Sequence, residues 1–210
     1  MGVDLLLVHP GSRRGVYQAL GDRVSAVATP VWCGMIATYA RDRGVSVAIL
    51  DCEADDLSAE EAAKRVVEAH SHLCAIVVYG HQPSAATQNM AVAEALVGAL
   101  CHFKVDMVLV GGHVSALPED TLMRQGVDRN RYGTLTVTKG EGFASIVGLA
   151  CDLRDDHPVD NLGVVKWVGL EIYEPWHDGD TLPLIDHVPR VAYNLMDPSK
   201  YRAHNHHALT

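Results

Sequence analysis

The chain has 210 residues and a formal net charge of −9, with 17 Lys and Arg against 26 Asp and Glu. That balance argues against a nucleic-acid partner, and no apolar stretch approaches the ~18–20 residues of a membrane helix. The length and the 48% hydrophobic content suit one compact domain, or one domain with an appendage.

The opening MGVDLLLVHPGSRRG is too short, and has the wrong charge order, for a secretory signal. It reads as a strand that begins at once, so a cytoplasmic protein is expected. Val3–Val8 is a continuous apolar run, as in a parallel strand covered on both faces. A loop rich in Gly and Arg follows. Val31–Arg43 places Trp32, Met35, Ile36, Tyr39 and Ala40 at helical spacing, and Gly44 ends it. Val45–Leu50 is the second strand. Ser58 and Glu61 form a capping-box pattern that opens a helix to about His70. Leu73–Tyr79 is the third strand. Thr87–Phe103 is a helix with Met90, Ala93, Leu96, Val97 and Leu100 on one face. Val105–Val110 is the fourth strand, Tyr132–Thr138 the fifth, and Phe143–Leu153 the helix after it.

Alternating apolar strands and helices imply a parallel sheet with right-handed crossovers. The expected fold is α/β: a doubly wound, Rossmann-like or flavodoxin-like sheet of five strands, in the order 2-1-3-4-5. From about His157 the alternation stops. Asn161–Glu171 reads as an extra strand or hairpin arm. Prolines at 175, 183, 189 and 198 mark an extended, loosely held connector. The expected division is therefore a domain over 1–156 and a C-terminal extension over 157–210.

The five cysteines (Cys33, Cys52, Cys74, Cys101 and Cys151) contain no CxxC pair and sit in apolar or helical segments. They read as reduced, buried small hydrophobes.

Four unusual loops directly follow strands: HPGSRRG, YGHQPSAA, GGHVSALPE and KGEG. In doubly wound sheets such loops converge beyond the carboxyl ends of the strands, where ligands bind. Common ligands of the fold fit poorly. The dinucleotide pattern GxGxxG and the phosphate-loop pattern GxxxxGK[ST] are absent. The first strand lacks a receiver domain's acidic cluster, and the third ends in Tyr79–Gly80 where a phosphoacceptor Asp would stand. Ser12 alone is thin support for a flavin phosphate loop.

Ser84 after strand three and Gly111-Gly112 after strand four fit a different case. This spacing is similar to that of cobalamin-binding domains, in which glycines admit the flat dimethylbenzimidazole tail and a hydroxyl meets its ring nitrogen. TPVWCGMIATYARDRGVSVAILDCEADDLS, GGHVSALPEDTL, VDRNRYGTLTVTKGEGFASIV and MDPSKYRAHNHHA, in that order, resemble the cobalamin-binding N-terminal domain of B12-dependent radical S-adenosylmethionine methyltransferases. The resemblance covers nearly the whole chain.

It implies cobalamin as cofactor, held by Pro10, Gly11, Ser12, Arg13, Trp32, Tyr79, Gly80, His81, Gln82, Ser84, Gly111, Gly112, His113, Ser115, Lys139, Gly140, Glu141 and Gly142. Within that set Trp32 packs either beneath the corrin or in the core. Lys139–Gly142 either line the tail or close a turn. Arg13 and Arg14 meet the cofactor or solvent. His9 faces the corrin or serves the structure.

The loop after strand one lacks the Asp-x-His-x-x-Gly whose His replaces the tail on cobalt. The expected binding is therefore base-off, without a protein His ligand. The CxxxCxxC for a radical iron–sulfur cluster is also missing. The cluster and S-adenosylmethionine are accordingly expected only in a partner radical domain, in cis or in trans, with this chain inactive alone. A competing reading is a small hydrolase or transferase using His81, His113 and Glu141 at the same edge. It lacks a nucleophile elbow and a credible triad order. No protein metal ligands are expected; His204, His206 and His207 read as a tail.

Overall fold

The computed structural model describes residues 2–11, 26–80, 83–125, 133–158, 164–168, 171–173 and 187–202, with backbone only at 83–86, 167, 168, 171 and 173. Strands β1 (Leu5–His9), β2 (Val47–Asp51), β3 (Leu73–Val77), β4 (Met107–Val110) and β5 (Leu135–Thr138) alternate with helices. These are α1 (Val31–Arg41), α2 (Ala59–Glu68), α3 (Pro83–Leu100), α4 (Gly112–Ala116), α5 (Pro118–Gln125) and α6 (Phe143–Arg154). Two further strands follow, β6 (Val164–Val168) and β7 (Glu171–Tyr173).

The sheet order is β2-β1-β3-β4-β5-β6-β7. The first five strands are parallel, in the order expected. The sheet itself is larger than the five strands read from the sequence. Its sixth strand pairs antiparallel with β5 through Val137↔Val165, and the seventh pairs antiparallel with the sixth. Within the expected Asn161–Glu171 segment, the described residues Val164–Val168 form the strand that covers the open edge of β5, as edge strands require.

Both faces of the parallel strands are buried, and successive side chains leave in opposite directions. Leu5 and Leu7, Ala75 and Val77, and Val108 and Val110 join one core with α1 and α6. Leu6 and Val8, Cys74 and Ile76, and Leu109 join the other with α2, α3 and Leu122 of α5. Burial on both faces explains the continuous apolar runs of β1, β3 and β4, while β5 carries Thr136 and Thr138 buried among its apolar residues.

Polar side chains fix the amino ends of the strands. Asp4 Oδ2 accepts from the Ser46 N–H and hydroxyl, both at 2.7 Å. Asp106 Oδ1 accepts from the Thr134 N–H at 2.9 Å and its hydroxyl at 2.7 Å. The capping box of α2 is complete: Glu61 N–H donates to Ser58 Oγ at 3.2 Å, and Ser58 N–H donates to the Glu61 carboxylate at 2.8 Å.

Two expectations change. Helix α3 starts at Pro83, four residues before Thr87, because proline is well suited to a first helical position. The C-terminal segment is not loose over Val191–Arg202. Ala192 and Met196 are buried, and Arg202 and Val27 exchange two backbone hydrogen bonds at 3.0 Å.

Candidate functional site

The carboxyl ends of β1, β3, β4 and β5 gather the expected residues on one edge. The strand order reverses between β1 and β3, the position at which doubly wound sheets bind ligands. Around this crevice lie Pro10 and Gly11 after β1, Tyr79 and Gly80 after β3, Gly111–Ser115 after β4 and Lys139–Gly142 after β5. Ser84 lies in the first turn of α3. Ser12, Arg13, His81 and Gln82 lie outside the described residues.

The two glycines that end β4 serve different purposes. A Cβ on Gly111 would stand 2.3 Å from the Val78 carbonyl oxygen, so that glycine allows β4 to pass close beside β3. Gly112 is exposed, and a Cβ there would meet nothing within 4 Å. Only Gly112 leaves open space at the strand end. In the loop after β5, Gly140 and Gly142 have φ of 77° and 79°, the left-handed region that favours glycine. A Cβ on Gly142 would also stand 2.6 Å from Val110 Cγ2. These two glycines close the turn, whatever else the turn contacts.

A network joins the loops to one another. Trp32, in the first turn of α1, stacks on Tyr79 with ring centroids 4.0 Å apart and planes 14° apart. The Tyr79 hydroxyl donates to the Gly140 carbonyl at 3.1 Å, and the Gly140 N–H donates to Ser115 Oγ at 2.6 Å. The ends of β3, β4 and β5 are therefore tied together through one turn. Trp32 is half-buried, with Tyr79 on one side and the Phe143 ring 6.1 Å away. His113 Nδ1 lies 3.2 Å from the Thr87 hydroxyl. At β1, His9 Nε2 sits 3.9 Å from a Glu53 carboxylate oxygen. Gly11, with φ of 71°, lies so close to Glu53 that a Cβ would stand 2.8 Å from that residue's own.

Thr87, Asn89 and Glu53 were not singled out from the sequence. Asn89 is buried, and its amide donates to the Tyr79 carbonyl at 3.5 Å. The available signal was an amide inside an otherwise apolar helix face beside Met90. Glu53 carries no such signal, since an acidic loop after a strand is ordinary solvent-facing sequence.

Cys33, Cys52 and Cys74 are buried free thiols. Burial first, and the Asp51 carboxylate second, push the Cys52 thiol up to about 12 and the Cys33 thiol well above its ordinary value. Burial, then Cys52, raises Cys74 as well. None of these three is poised as a nucleophile. Among the described residues, no three His, Cys, Asp or Glu side chains form a metal-holding group, and no helix is long and apolar enough to cross a membrane.

A doubly wound sheet with glycine-rich loops and an aromatic stack at its switch point has the architecture of a ligand-binding α/β domain. A family model of the B12 binding domain matches residues 17–138, more than half of the chain. The chain belongs to the B12-binding domain family, and cobalamin is its cofactor.

Solved structures share the fold. The radical S-adenosylmethionine methyltransferase TsrM from Kitasatospora setae, with tryptophan substrate and an S-adenosylmethionine analogue bound, aligns over 81% of this chain and 29% of its own at 15% identity, TM-score 0.62. TsrM with cobalamin and a [4Fe-4S] cluster bound aligns over 82% of this chain and 28% of its own, also at 15% identity, TM-score 0.60. The cobalamin-dependent S-adenosylmethionine radical enzyme OxsB with aqua-cobalamin bound aligns over 90% of this chain and 24% of its own at 14% identity, TM-score 0.60. The chain spans between 24% and 29% of the length of these enzymes. None of the curated proteins matches it.

Proposed function

We propose that this chain is the cobalamin-holding module of a B12-dependent radical S-adenosylmethionine methyltransferase, with the cofactor base-off and no protein histidine on cobalt. The family membership supports cobalamin, and the fold shared with TsrM and OxsB supports the radical-enzyme context. The observation that carries the reading is the Trp32–Tyr79 stack at the switch point of the sheet, tied through Gly140 and Ser115 to the loops after β4 and β5. A bulky heterocycle with an amide rim needs an opening, an apolar wall and a few polar groups. The residues present fit the cofactor in those respects.

In this reading Gly112 admits the nucleotide tail, and Ser115 and His113 offer it polar partners. Trp32 and Tyr79 give the corrin an apolar wall. Pro10 and Gly11 border it from the β1 side. The Tyr79–Gly140–Ser115 network holds the three loops in register before the cofactor arrives, so less ordering remains for binding. Bound cobalamin supplies the methyl-transfer chemistry; the protein supplies orientation and environment. The absence of an Asp-x-His-x-x-Gly motif after β1 supports a cobalt without a protein imidazole. A partner radical domain would carry the iron–sulfur cluster and S-adenosylmethionine.

The test is an absorption titration with hydroxocobalamin followed by gel filtration. The expected result is a corrin spectrum that co-elutes with the protein and is shifted toward the base-off form. Base-on cobalamin at saturation would refute the tail-binding mode, and absence of co-elution would refute the module.

A further inference from the structure

Helix α1 has three occupied faces. Cys33, Ile36, Ala37 and Ala40 are fully buried in the core it shares with the sheet. Trp32 and Tyr39 turn toward Phe143 of α6, at centroid distances of 6.1 and 5.5 Å. Gly34 meets the C-terminal segment. A Cβ on Gly34 would stand 2.4 Å from Val191 Cγ1, 2.7 Å from Met196 Cε and 3.3 Å from the Ala192 nitrogen.

Specific bonds hold that segment along the helix. The Ala192 N–H donates to the Gly34 carbonyl at 3.0 Å, and Arg41 donates to the Asn194 side chain at 3.1 Å. Lys200 pairs with Asp55, which follows β2. Arg202 and Val27, which precedes α1, exchange both backbone hydrogen bonds. Burial first, then the neighbouring Asp51 carboxylate at the end of β2, raises the Tyr201 phenol above its ordinary range. The segment thus crosses α1 and finishes at the carboxyl edge of the sheet, the edge of the candidate site.

Gly34 and Trp32 are two residues apart, about 200° around the helix. Contact on the Gly34 face therefore seats the Trp32 face against Tyr79. We propose that Val191–Arg202 is a clasp that positions the first turn of α1, and with it Trp32, for the cofactor, so that clasp closure and cobalamin binding favour each other. This inference rests on the cobalamin-binding reading. Its reciprocity is required by linkage: if the closed clasp raises affinity, the bound ligand must hold the clasp closed by the same factor.

The experiment compares the wild-type chain with Gly34→Val, which places a side chain where Val191 and Met196 lie. Arg202→Pro removes one hydrogen-bond donor to Val27 and touches no buried side chain. It carries the test alone if the first variant fails to fold by circular dichroism. Two quantities are read: the rate of tryptic cleavage after Arg190 and Lys200, and hydroxocobalamin affinity by absorption. The expected result is faster cleavage in the variants, an affinity about tenfold weaker, and slower cleavage of the wild type when saturated with hydroxocobalamin. Faster cleavage with unchanged affinity would overturn the coupling, as would unchanged cleavage in the folded variants. A wild-type chain that binds no cobalamin would refute the functional reading, and the linkage with it. Binding by the wild type with equal affinity in the variants would refute the clasp alone.

Discussion

Substituting the two glycines after β4 separates the needs of the fold from the needs of the ligand. In Gly111→Ala the new methyl would lie 2.3 Å from the Val78 carbonyl oxygen and 2.8 Å from its carbon. An ordinary contact is about 3.4 Å or more, so β3 and β4 must separate by roughly 1 Å at this end. They are held together there by the Val78 N–H, which donates to the Val110 carbonyl at 2.7 Å, and Val78 and Val110 are fully buried. Overpacking of this kind costs about 1–3 kcal/mol. For a domain of this size that lowers Tm by roughly 2–10 °C.

At Gly112 a Cβ would meet no atom within 4 Å and the residue is exposed, so the leucine of Gly112→Leu can extend into solvent. The variant's stability should stay within about 0.5 kcal/mol of wild type, or rise slightly through the unfolded state. Its cobalamin affinity should fall at least about a hundredfold, the equivalent of ~2.8 kcal/mol. Differential scanning calorimetry and hydroxocobalamin titration measure the two quantities on the same samples. A Gly112→Leu protein that binds like wild type would remove the tail from this edge. A Gly111→Ala protein with unchanged Tm would refute the close approach of the strands.

The thiols predict a labelling pattern: iodoacetamide at pH 8 should modify at most Cys101 and Cys151 in the native protein, with Cys33, Cys52 and Cys74 reacting only after denaturation, as read by mass spectrometry. Because these three pKa values are raised in the fold, the unfolded chain loses its thiol protons first. Stability should therefore fall as pH rises from about 8.5, with a slope of up to ~1.4 kcal/mol per pH unit for each thiol, visible in urea titrations. At the acid end, partial burial pushes Asp4 up, but the Ser46 hydroxyl and N–H outweigh it and leave the carboxyl below its ordinary value. The stability it contributes is present above about pH 4 and is lost as pH falls through the lower folded value. Asp4→Asn should thus unfold more easily at pH 7 and show a weaker loss of stability between pH 4 and 2.

The parallel core was legible because each strand is buried on both faces, and the capping box because Ser58 and Glu61 act locally. The difference between Gly111 and Gly112 was not legible. It depends on the carbonyl of Val78, a contact between strands remote in sequence, whereas the sequence shows only two adjacent glycines. The stack of Trp32 on Tyr79 was hidden for the same reason: each residue was picked out alone, and only the sheet order brings α1 beside the end of β3. The start of α3 is obscured in the sequence because the turn-like composition of YGHQPSAA hides the proline that opens the helix. The clasp has no periodicity to read. It is built from 3₁₀ turns at Tyr193–Leu195 and Pro198–Lys200 and from single contacts, each specified by a partner elsewhere, such as the bare face of Gly34.

From the same contacts we propose that the hairpin and the clasp fold as one unit with residues 1–156. A chain cut after Asp156 would lose the strand that pairs with Thr136, Val137 and Thr138, leaving β5 as a bare edge. It would also lose four buried apolar side chains: Val164, Val165, Ala192 and Met196. Burying a valine or methionine side chain contributes about 1.5–3 kcal/mol, so the three larger ones together account for roughly 5 kcal/mol or more. Whole domains are stable by only about 5–15 kcal/mol. The truncated protein is therefore expected at the threshold of folding, with an open strand edge that favours association. Expression of residues 1–156 beside the full chain, followed by light scattering and thermal unfolding, tests this. A monomeric fragment that unfolds cooperatively within a few degrees of the full chain would show that the hairpin and clasp decorate a self-sufficient domain. An aggregating or unfolded fragment would place them within the single cooperative unit that carries the candidate site.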